Sequence, residues 1–320
     1  MAGRILVVGS LNMDLVGCAP RIPVVGETVI GTRFIEEPGG KGANQAYAIA
    51  RLGGRVAMLG RVGDDIYGER MRQSLYLAGC AVQGIGTVPR CTSGIALIFV
   101  SSQGENSIVV IPGANDRLTP EDVNCATGCF DGASYVLLQL ENPMPTVVAA
   151  ARQARKAGAK VILDPAPARK LPAELWGLVD IITPNETEAL ILVNLPPRRL
   201  NGDEALPIAQ QLVARGVHAA VIKLADQGCM LVANGEPLHI PAPRVHAVDT
   251  TAAGDVFNGG LAVALSEGER LPDACLFANR CAALSVTKAG AQAGAPTRAE
   301  LDLWIKTFSN PTIGPAPATT

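Results

Sequence analysis

Residues 248–260 read Val248-Asp249-Thr250-Thr251-Ala252-Ala253-Gly254-Asp255-Val256-Phe257-Asn258-Gly259-Gly260. Small residues come first, and the apolar pattern of a helix follows over residues 256–265. We therefore expect the backbone amides of residues 252–255 to lie unpaired at a helix N-terminus. Free N–H groups and the positive end of the helix dipole favour an anion there. Asp255 has an alternative interpretation as an ordinary acid of a first helical turn, where acids are common.

A second glycine cluster, Pro38-Gly39-Gly40-Lys41-Gly42-Ala43-Asn44-Gln45, also opens a predicted helix. It carries the polar residues Lys41, Asn44 and Gln45 where an apolar helix start is usual. The Walker pattern for nucleotide phosphates is absent, and the dinucleotide pattern fails because Gln45 occupies its last glycine position. A phosphate loop of either type, and with it a nicotinamide oxidoreductase, is therefore disfavoured.

Short apolar runs alternate with helix-periodic segments along the rest of the chain. The predicted buried strands are 5–8, 56–59, 135–138, 161–163, 181–182 and 219–222, and the predicted helices include 43–52, 66–77, 146–157 and 207–215. Continuous apolar strands separated by helices are typical of parallel sheets covered on both faces. The sequence predicts an α/β fold with a Rossmann-like core, a mostly parallel sheet flanked by helices.

Two segments, 17–38 and 92–111, break this alternation. In the second, two β-rich runs flank the turn-like residues 102–104, which predicts a hairpin. We expect both segments to form a small β-sheet lid over the carboxyl edge of the main sheet, where open α/β sheets bind ligands. The prediction is one domain over residues 1–308 with the lid inserted, followed by a disordered, proline-containing tail at 309–320.

Composition excludes several classes of protein. Of the 320 residues, 48% are hydrophobic and 18% charged, which indicates a packed core and not a disordered chain. The formal net charge of −2 is too balanced for general binding to nucleic acid or an anionic membrane. The longest uncharged stretch, 73–89, is too polar to span a membrane, and the N-terminus lacks a secretory signal. We expect a cytoplasmic protein.

The eight cysteines are scattered, and none forms a C-x-x-C pair. A long chain with such spacing is not typical of disulfide frameworks or zinc sites. Cys125 and Cys129 have a spacing that would suit a metal on a helix, but core packing is the favoured interpretation for them as for the others.

Together, residues 39–44 and 249–255 resemble the two signatures of the ribokinase-like (PfkB) carbohydrate kinase family. Further matching pieces, all in family order, are 9–14, 23–28, 113–115, 139–141, 164–168 and 183–188. The resemblance covers roughly residues 4–305. It implies ATP-dependent phosphorylation of D-ribose at the 5-hydroxyl, and therefore an ATP:sugar phosphotransferase.

The resemblance also assigns roles by position. Asp255 would be the general base, and the amides of Ala252, Ala253, Gly254 and Asp255 would form the anion hole for the transferred phosphoryl group. The residues that would hold the sugar, together with Asp255, are Asn12, Asp14, Gly40, Lys41, Asn44 and Glu141. Carboxylates, amides and an ammonium suit the hydroxyls of a polyol. Asn12 and Asp14 have an alternative interpretation as turn residues, and residues 141–143 as a helix-start cap.

The nucleotide would lie, by the same resemblance, against Asn185, Lys223, Ala225, Gly228, Gly254 and Asn279. Glu188 would hold Mg²⁺ through water, although Asn185 and Glu188 also fit a simple helix start. Many relatives have threonine at the position of Lys223 and glycine at that of Ala225. An activating K⁺ would lie at Asp249, Thr251, Ser285, Lys288, Gly290 and Gly294, largely on backbone carbonyls.

Two other functions remain open on sequence grounds: a kinase for another small sugar or a nucleoside, and a non-catalytic sugar-binding protein. The intact anion-hole segment disfavours the second. We also expect a homodimer through the lid, because a small sheet that covers the sugar with one face would expose Ile95, Leu97 or Phe99 on the other.

Overall fold

This computed structural model describes residues 2–307, so the predicted tail at 309–320 lies outside the described residues. In chain order the elements are β1 (Arg4–Val8), β2 (Asn12–Ala19), β3 (Arg33–Gly39), α1 (Lys41–Arg51), β4 (Arg55–Gly63), α2 (Ile66–Ala78), β5 (Ala81–Val88), β6 (Gly94–Ser101), β7 (Asn106–Ile111), α3 (Pro120–Cys125), α4 (Thr127–Phe130), β8 (Ala133–Leu138), α5 (Met144–Lys156), β9 (Lys160–Leu163), α6 (Ala173–Leu178), β10 (Ile181–Ile182), α7 (Glu186–Leu192), α8 (Gly202–Ala214), β11 (Ala219–Lys223), β12 (Cys229–Ala233), β13 (Glu236–Ile240), α9 (Ala253–Ser266), α10 (Leu271–Ser285), α11 (Ala291–Gly294) and α12 (Arg298–Thr307).

The main sheet has nine strands in the order β13-β12-β11-β10-β9-β8-β1-β4-β5. All pairs from β11 to β5 are parallel, and β12 and β13 extend one edge in antiparallel fashion. Every predicted core strand lies in this sheet, which confirms the predicted fold class. Helix α8 begins at Gly202, so Pro207 lies inside the helix and not at its start.

Helices cover both faces of the main sheet. Successive side chains of a strand point to opposite faces. Along β1, Ile5 and Val7 accordingly pack with α1, α2, α9 and α10, whereas Leu6 and Val8 pack with α5 to α8. This two-sided burial explains why the core strands read as continuous apolar runs.

A second, four-stranded sheet has the order β3-β2-β6-β7, and we call it the lid. Strand β2 pairs with β3 in antiparallel and with β6 in parallel fashion, and β6 and β7 form the predicted hairpin. The lid begins at Asn12 and not at Gly17. Asn12 and Asp14 therefore lie on a lid strand, and the alternative that they are turn residues is wrong.

The lid exposes less of the predicted apolar set than expected. Phe99 is 44% exposed, but Ile95 and Leu97 are half-buried. On the same face as Phe99, residues that the sequence did not single out extend the exposed patch: Phe34, Val109 and Ile111. Ile108 and Val110 are also exposed, but they lie on the face of Asp14.

The cysteines follow the core-packing interpretation only in part. Cys80, Cys229, Cys275 and Cys281 are buried, whereas Cys125 is exposed on α3, so core packing was wrong for Cys125. Within residues 2–307, no three His, Cys, Asp or Glu side chains cluster closely enough to hold a metal by themselves. None of the helices in that same range is long and apolar enough to cross a membrane.

Candidate active site

A cavity of about 430 Å³ lies at the carboxyl ends of β9, β10 and β11. The N-termini of α1 and α9 close its other side, so the two glycine-rich segments meet there as the sequence predicts. Its lining residues are Lys41, Asp164, Ala166, Asn185, Glu186, Thr187, Glu188, Arg199, Lys223, Ala225, Thr250, Ala252, Ala253, Gly254 and Asp255.

Asp255 is a buried carboxylate in the first turn of α9. Asn44 Nδ2 donates to Asp255 Oδ2 at 3.2 Å, and Gln45 Nε2 donates to Asp255 Oδ1 at 3.1 Å. Burial raises the pKa of Asp255 to about 6, and the Asp164 carboxylate adds to this rise while the Lys41 ammonium opposes it. A carboxylate with this pKa can accept a proton near neutral pH.

The turn before α9 presents backbone amides to the cavity. Ala252 caps the helix in the left-handed conformation, with φ of 58°. The Ala253 amide donates to the Thr250 carbonyl at 3.2 Å, so the expectation that all four amides are unpaired was wrong for Ala253. Among the described residues, the amides of Ala252, Gly254 and Asp255 have no partner. Three donors at the positive end of a helix remain available for an anion.

Asp14 projects from the lid strand β2 toward the other end of the site. Burial, together with the carboxylates of Glu141, Glu37 and Asp255, raises the pKa of Asp14 to about 7 against the effect of Lys41. For Lys41, burial disfavours the ammonium, but Asp255 and the other nearby carboxylates outweigh burial and raise the pKa of Lys41. Asp14, Glu141 and Asp255 thus share the Lys41 ammonium. Their carboxylate oxygens can also accept hydrogen bonds from the hydroxyl groups of a ligand.

Glu141 and Asn12 are held by backbone and side-chain contacts. Glu141 Oε2 accepts from the Lys41 amide at 3.1 Å and from the Ser10 hydroxyl. Helix α5 starts after Pro143, so residues 141–143 do lead into a helix start, but the cap is Pro143 without a side-chain bond and Glu141 does not cap this helix. Asn12 Oδ1 accepts from Asn115 Nδ2 at 2.7 Å.

Gly40 allows α1 to start against the lid. Its φ is +89°, a conformation that favours glycine, and a Cβ atom there would lie 2.6 Å from the Asn12 backbone nitrogen. The predicted sugar-side residues Asn12, Asp14, Gly40, Lys41, Asn44 and Glu141 therefore come from adjacent segments of β2, α1 and the loop after β8.

Asn185 and Glu188 form a capping box at the start of α7. Asn185 Oδ1 accepts from the Glu188 amide, and Glu188 Oε2 accepts from the Asn185 amide, both at 2.8 Å. The helix-start interpretation is therefore correct, and both side chains also line the cavity. Burial raises the pKa of Glu188, against the effect of the Lys223 ammonium.

The remaining predicted nucleotide residues divide into two groups. Lys223, Ala225 and Gly254 line the cavity, and Ala225 adopts a left-handed φ of 50°. Gly228 and Asn279 do not line it. Asn279 is buried, and its Nδ2 donates to the Ile240 carbonyl at 2.9 Å, which braces the end of β13.

Four of the six residues predicted to hold a monovalent cation lie in loops, whereas Ser285 ends α10 and Gly294 ends α11. Asp249 accepts from the Thr251 amide and the Gly290 amide, each at 2.9 Å. Burial raises the pKa of Asp249, but these hydrogen bonds outweigh it and lower that pKa overall. A Cβ atom at Gly294 would lie 3.1 Å from the backbone oxygen of Ser285 and 3.7 Å from that of Lys288. Both carbonyl groups therefore lie close to Gly294.

Three buried residues of the site were missed from the sequence. Gln45 Nε2 donates to Asp164 Oδ2 at 3.0 Å in addition to Asp255, and Gln139 Nε2 donates to Gln45 Oε1 at 2.6 Å. The signal for Asp164 was its position directly after a predicted strand, at the carboxyl edge. Gln45 stood in the polar set that opens α1, and Gln139 follows the strand at 135–138.

The family described as pfkB family carbohydrate kinase matches residues 2–298. The chain belongs to this family. It is 43% identical to the ribokinase of Bacillus subtilis over 299 residues, and this match covers 93% of this chain and 98% of the relative. It is 41% identical over 300 residues to the ribokinase of Haemophilus influenzae, covering 94% and 97%. The family predicted from the two glycine-rich signatures is thereby confirmed.

Solved structures agree with this assignment to the pfkB family. The structure of Arabidopsis thaliana ribokinase complexed with ribose and ATP matches with a TM-score of 0.88 and 33% identity, over 97% of this chain and all of the other. The mostly parallel sheet, its helices and the four-stranded lid are thus features of the family fold.

Proposed function

We propose that this chain transfers the γ-phosphoryl group of ATP to the 5-hydroxyl of D-ribose. The observation that carries the proposal is the Asp255 carboxylate, which is buried between the sugar-side residues and the free amides at the start of α9. The likeness to ribokinases over nearly the whole chain supports ribose and ATP as substrates.

The sugar would lie between the lid and α1. Asp14 and Glu141 accept hydrogen bonds from hydroxyl groups, Lys41 donates, and the amides of Asn12 and Asn44 can do both. Because these groups are buried or half-buried, a hydroxyl that fails to reach its partner leaves a polar atom unpaired and shielded from water. The site would therefore distinguish sugars by the positions of their hydroxyl groups.

In the reaction, Asp255 accepts the proton of the 5-hydroxyl, and the resulting oxygen attacks the γ-phosphorus of ATP. The bond from this phosphorus to the bridging oxygen breaks, ADP leaves, and the proton stays on Asp255. The amides of Ala252, Gly254 and Asp255 donate to the phosphoryl oxygens, where charge is concentrated during transfer. Preorganised donors of this kind supply most of the catalysis in phosphoryl transfer.

The Glu188 carboxylate, on the side of the cavity proposed for the nucleotide, fits a magnesium ion bound through water. Only Glu188 Oε2 is used by the capping box, so Oε1 can accept from a metal-bound water. When bound with ATP, Mg²⁺ neutralises phosphate charge. We propose K⁺ at the loops of Asp249 and Gly290, where it would hold the turn before α9 without touching the substrates.

We also propose a homodimer through the lid. Phe34, Gly17 and Phe99 lie side by side across three lid strands, on the face opposite to Asp14. Phe34 is 64% exposed, and β7 adds the exposed residues Val109 and Ile111 on this face. A second copy of the chain would cover this patch, as two-fold interfaces pair identical surfaces.

An ATP-consumption screen tests the proposed activity. The purified protein is incubated with ATP, magnesium and one of ribose, 2-deoxyribose, fructose or several nucleosides. We expect ribose to give the highest kcat/KM. A higher value for another sugar or a nucleoside would support the alternative kinase functions, and no consumption with any of them would support a non-catalytic sugar-binding protein.

A further inference from the structure

Lys223 and Asp164 form a buried ion pair inside the candidate active site. Lys223 is the last residue of β11, and Asp164 directly follows β9. Lys223 Nζ lies 3.0 Å from Asp164 Oδ1, and the two side chains are 13% and 3% exposed. Both residues line the cavity next to the start of α9.

The Lys223 ammonium also lies against the anion-binding turn. A Cβ atom at Gly254 would stand 3.3 Å from Lys223 Nζ, so the glycine leaves the space that the ammonium uses. The Gly254 amide is one of the donors without a partner among the described residues. An ammonium beside the positive end of a helix dipole is unfavourable unless an anion lies between them or nearby. Asp164 is that anion in the absence of a substrate.

Asp164 is itself fixed on its other oxygen. Gln45 Nε2 donates to Asp164 Oδ2 at 3.0 Å and to Asp255 Oδ1 at 3.1 Å. The carboxylate that holds Lys223 is therefore tied to the proposed general base through one amide group. Asp164 is thus a rigid support for Lys223 in the absence of a substrate.

We propose that Lys223 is a catalytic residue that binds the terminal phosphoryl group of the nucleotide, and that Asp164 is a positioning residue that holds Lys223 until the phosphate arrives. The inference rests on the proposed function and deepens it. In the absence of nucleotide, Asp164 balances the ammonium. A bound terminal phosphate shares the ammonium with Asp164, and therefore competes with it.

This competition predicts effects of opposite sign for the two partners. Lys223→Met removes the charge and keeps most of the side-chain stem. It should weaken binding of the non-hydrolysable analogue β,γ-imido-ATP on the order of 10- to 100-fold, as expected for a lost charge-assisted hydrogen bond. Binding of AMP, which lacks the terminal phosphates, should change less than about twofold. Asp164→Asn removes the competitor and should tighten binding of β,γ-imido-ATP several-fold, again with AMP unchanged.

Isothermal titration calorimetry with magnesium chloride and without sugar measures these affinities. Lys160→Met is the matched control, because Lys160 is exposed at the opposite, amino end of β9. This variant should leave the affinities for both β,γ-imido-ATP and AMP unchanged. Breaking one partner of a buried pair can prevent folding. The double variant Asp164→Asn, Lys223→Met has no unpaired charge, and its comparison with Asp164→Asn alone tests Lys223 in a neutral background.

Several results would overturn the proposal. Lys223 does not contact the terminal phosphate if Lys223→Met weakens binding of AMP as much as binding of β,γ-imido-ATP. The same conclusion follows if the double variant binds β,γ-imido-ATP as tightly as Asp164→Asn does. If Asp164→Asn leaves the affinity unchanged or weakens it, Asp164 is only a structural partner. Phosphorylation of ribose by the unmodified protein is measured separately, so failure of the proposed function is distinguishable from failure of this inference.

Discussion

Replacing Asp255 by asparagine removes the proposed general base with little change in shape. The carboxylate accepts from Asn44 on one oxygen and from Gln45 on the other. An asparagine offers only one acceptor oxygen, so one of these donors loses its partner, at a cost of about 1–3 kcal/mol. Removal of a buried charge offsets part of this cost. We therefore expect Asp255→Asn to fold and to bind sugar.

Loss of a positioned base should lower kcat by roughly 10²- to 10⁴-fold. This range corresponds to about 2.7–5.5 kcal/mol of transition-state stabilisation. The KM for ribose should change far less, because Asn44 and the other sugar-side groups remain. A coupled assay of ADP formation over a range of ribose concentrations separates the two parameters.

Asp203→Asn is the matched control for this experiment. Asp203 is also an acid in the first turn of a helix, α8, but it is exposed and does not line the cavity. If Asp255 served only its helix, the two variants would behave alike. A kcat for Asp255→Asn within a few-fold of the unmodified protein would refute its role as the base.

Four further predictions follow from the same geometry. Because the pKa of Asp255 is about 6 and the base must be ionised, kcat/KM should fall about tenfold per pH unit below pH 6, and a flat profile from pH 5 to 8 would contradict this. Asp14→Asn should raise the KM for ribose about tenfold or more with little change in the KM for ATP. The same variant should raise the melting temperature at pH 9 more than at pH 5. The reason is that the pKa of Asp14 is raised to about 7 in the fold, so its ionisation above that pH destabilises the protein. Potassium should raise kcat more than it changes ribose affinity, and equal activity in potassium, sodium and a bulky organic cation would argue against the proposed cation site. Light scattering should give a dimer that Phe99→Ser converts toward monomer, whereas a monomer for the unmodified protein with full activity would exclude the lid interface.

Local sequence signals predicted the fold because they agree with one another. Each short apolar run became a strand of the main sheet, and the small residues before Val256 marked the start of α9. The lid boundary is less accurate, because the polar residues Asn12 and Asp14 suggest a turn after β1, although they lie on β2. The helix predicted over 207–215 starts too late, because Pro207 lies in the second turn of α8.

The site was predictable where its residues stand in motifs and not where they depend on distant partners. Asp255 and Lys41 were found in glycine-rich segments. The contact between Asp164 and Lys223 joins residues 59 positions apart, and that between Gln45 and Asp255 joins residues 210 apart. Only the fold brings these side chains together, so no local pattern could show that Gln45 links two carboxylates.

Nuclear magnetic resonance of the reaction product tests the central claim most directly. The unmodified protein is incubated with ribose, ATP and magnesium, and the coupling of the product phosphorus to sugar protons is measured. We predict coupling to the two protons on carbon 5, as in ribose 5-phosphate, and a rate that falls at least 100-fold in Asp255→Asn. A phosphate on another hydroxyl, or no phosphorylated ribose, would contradict the account.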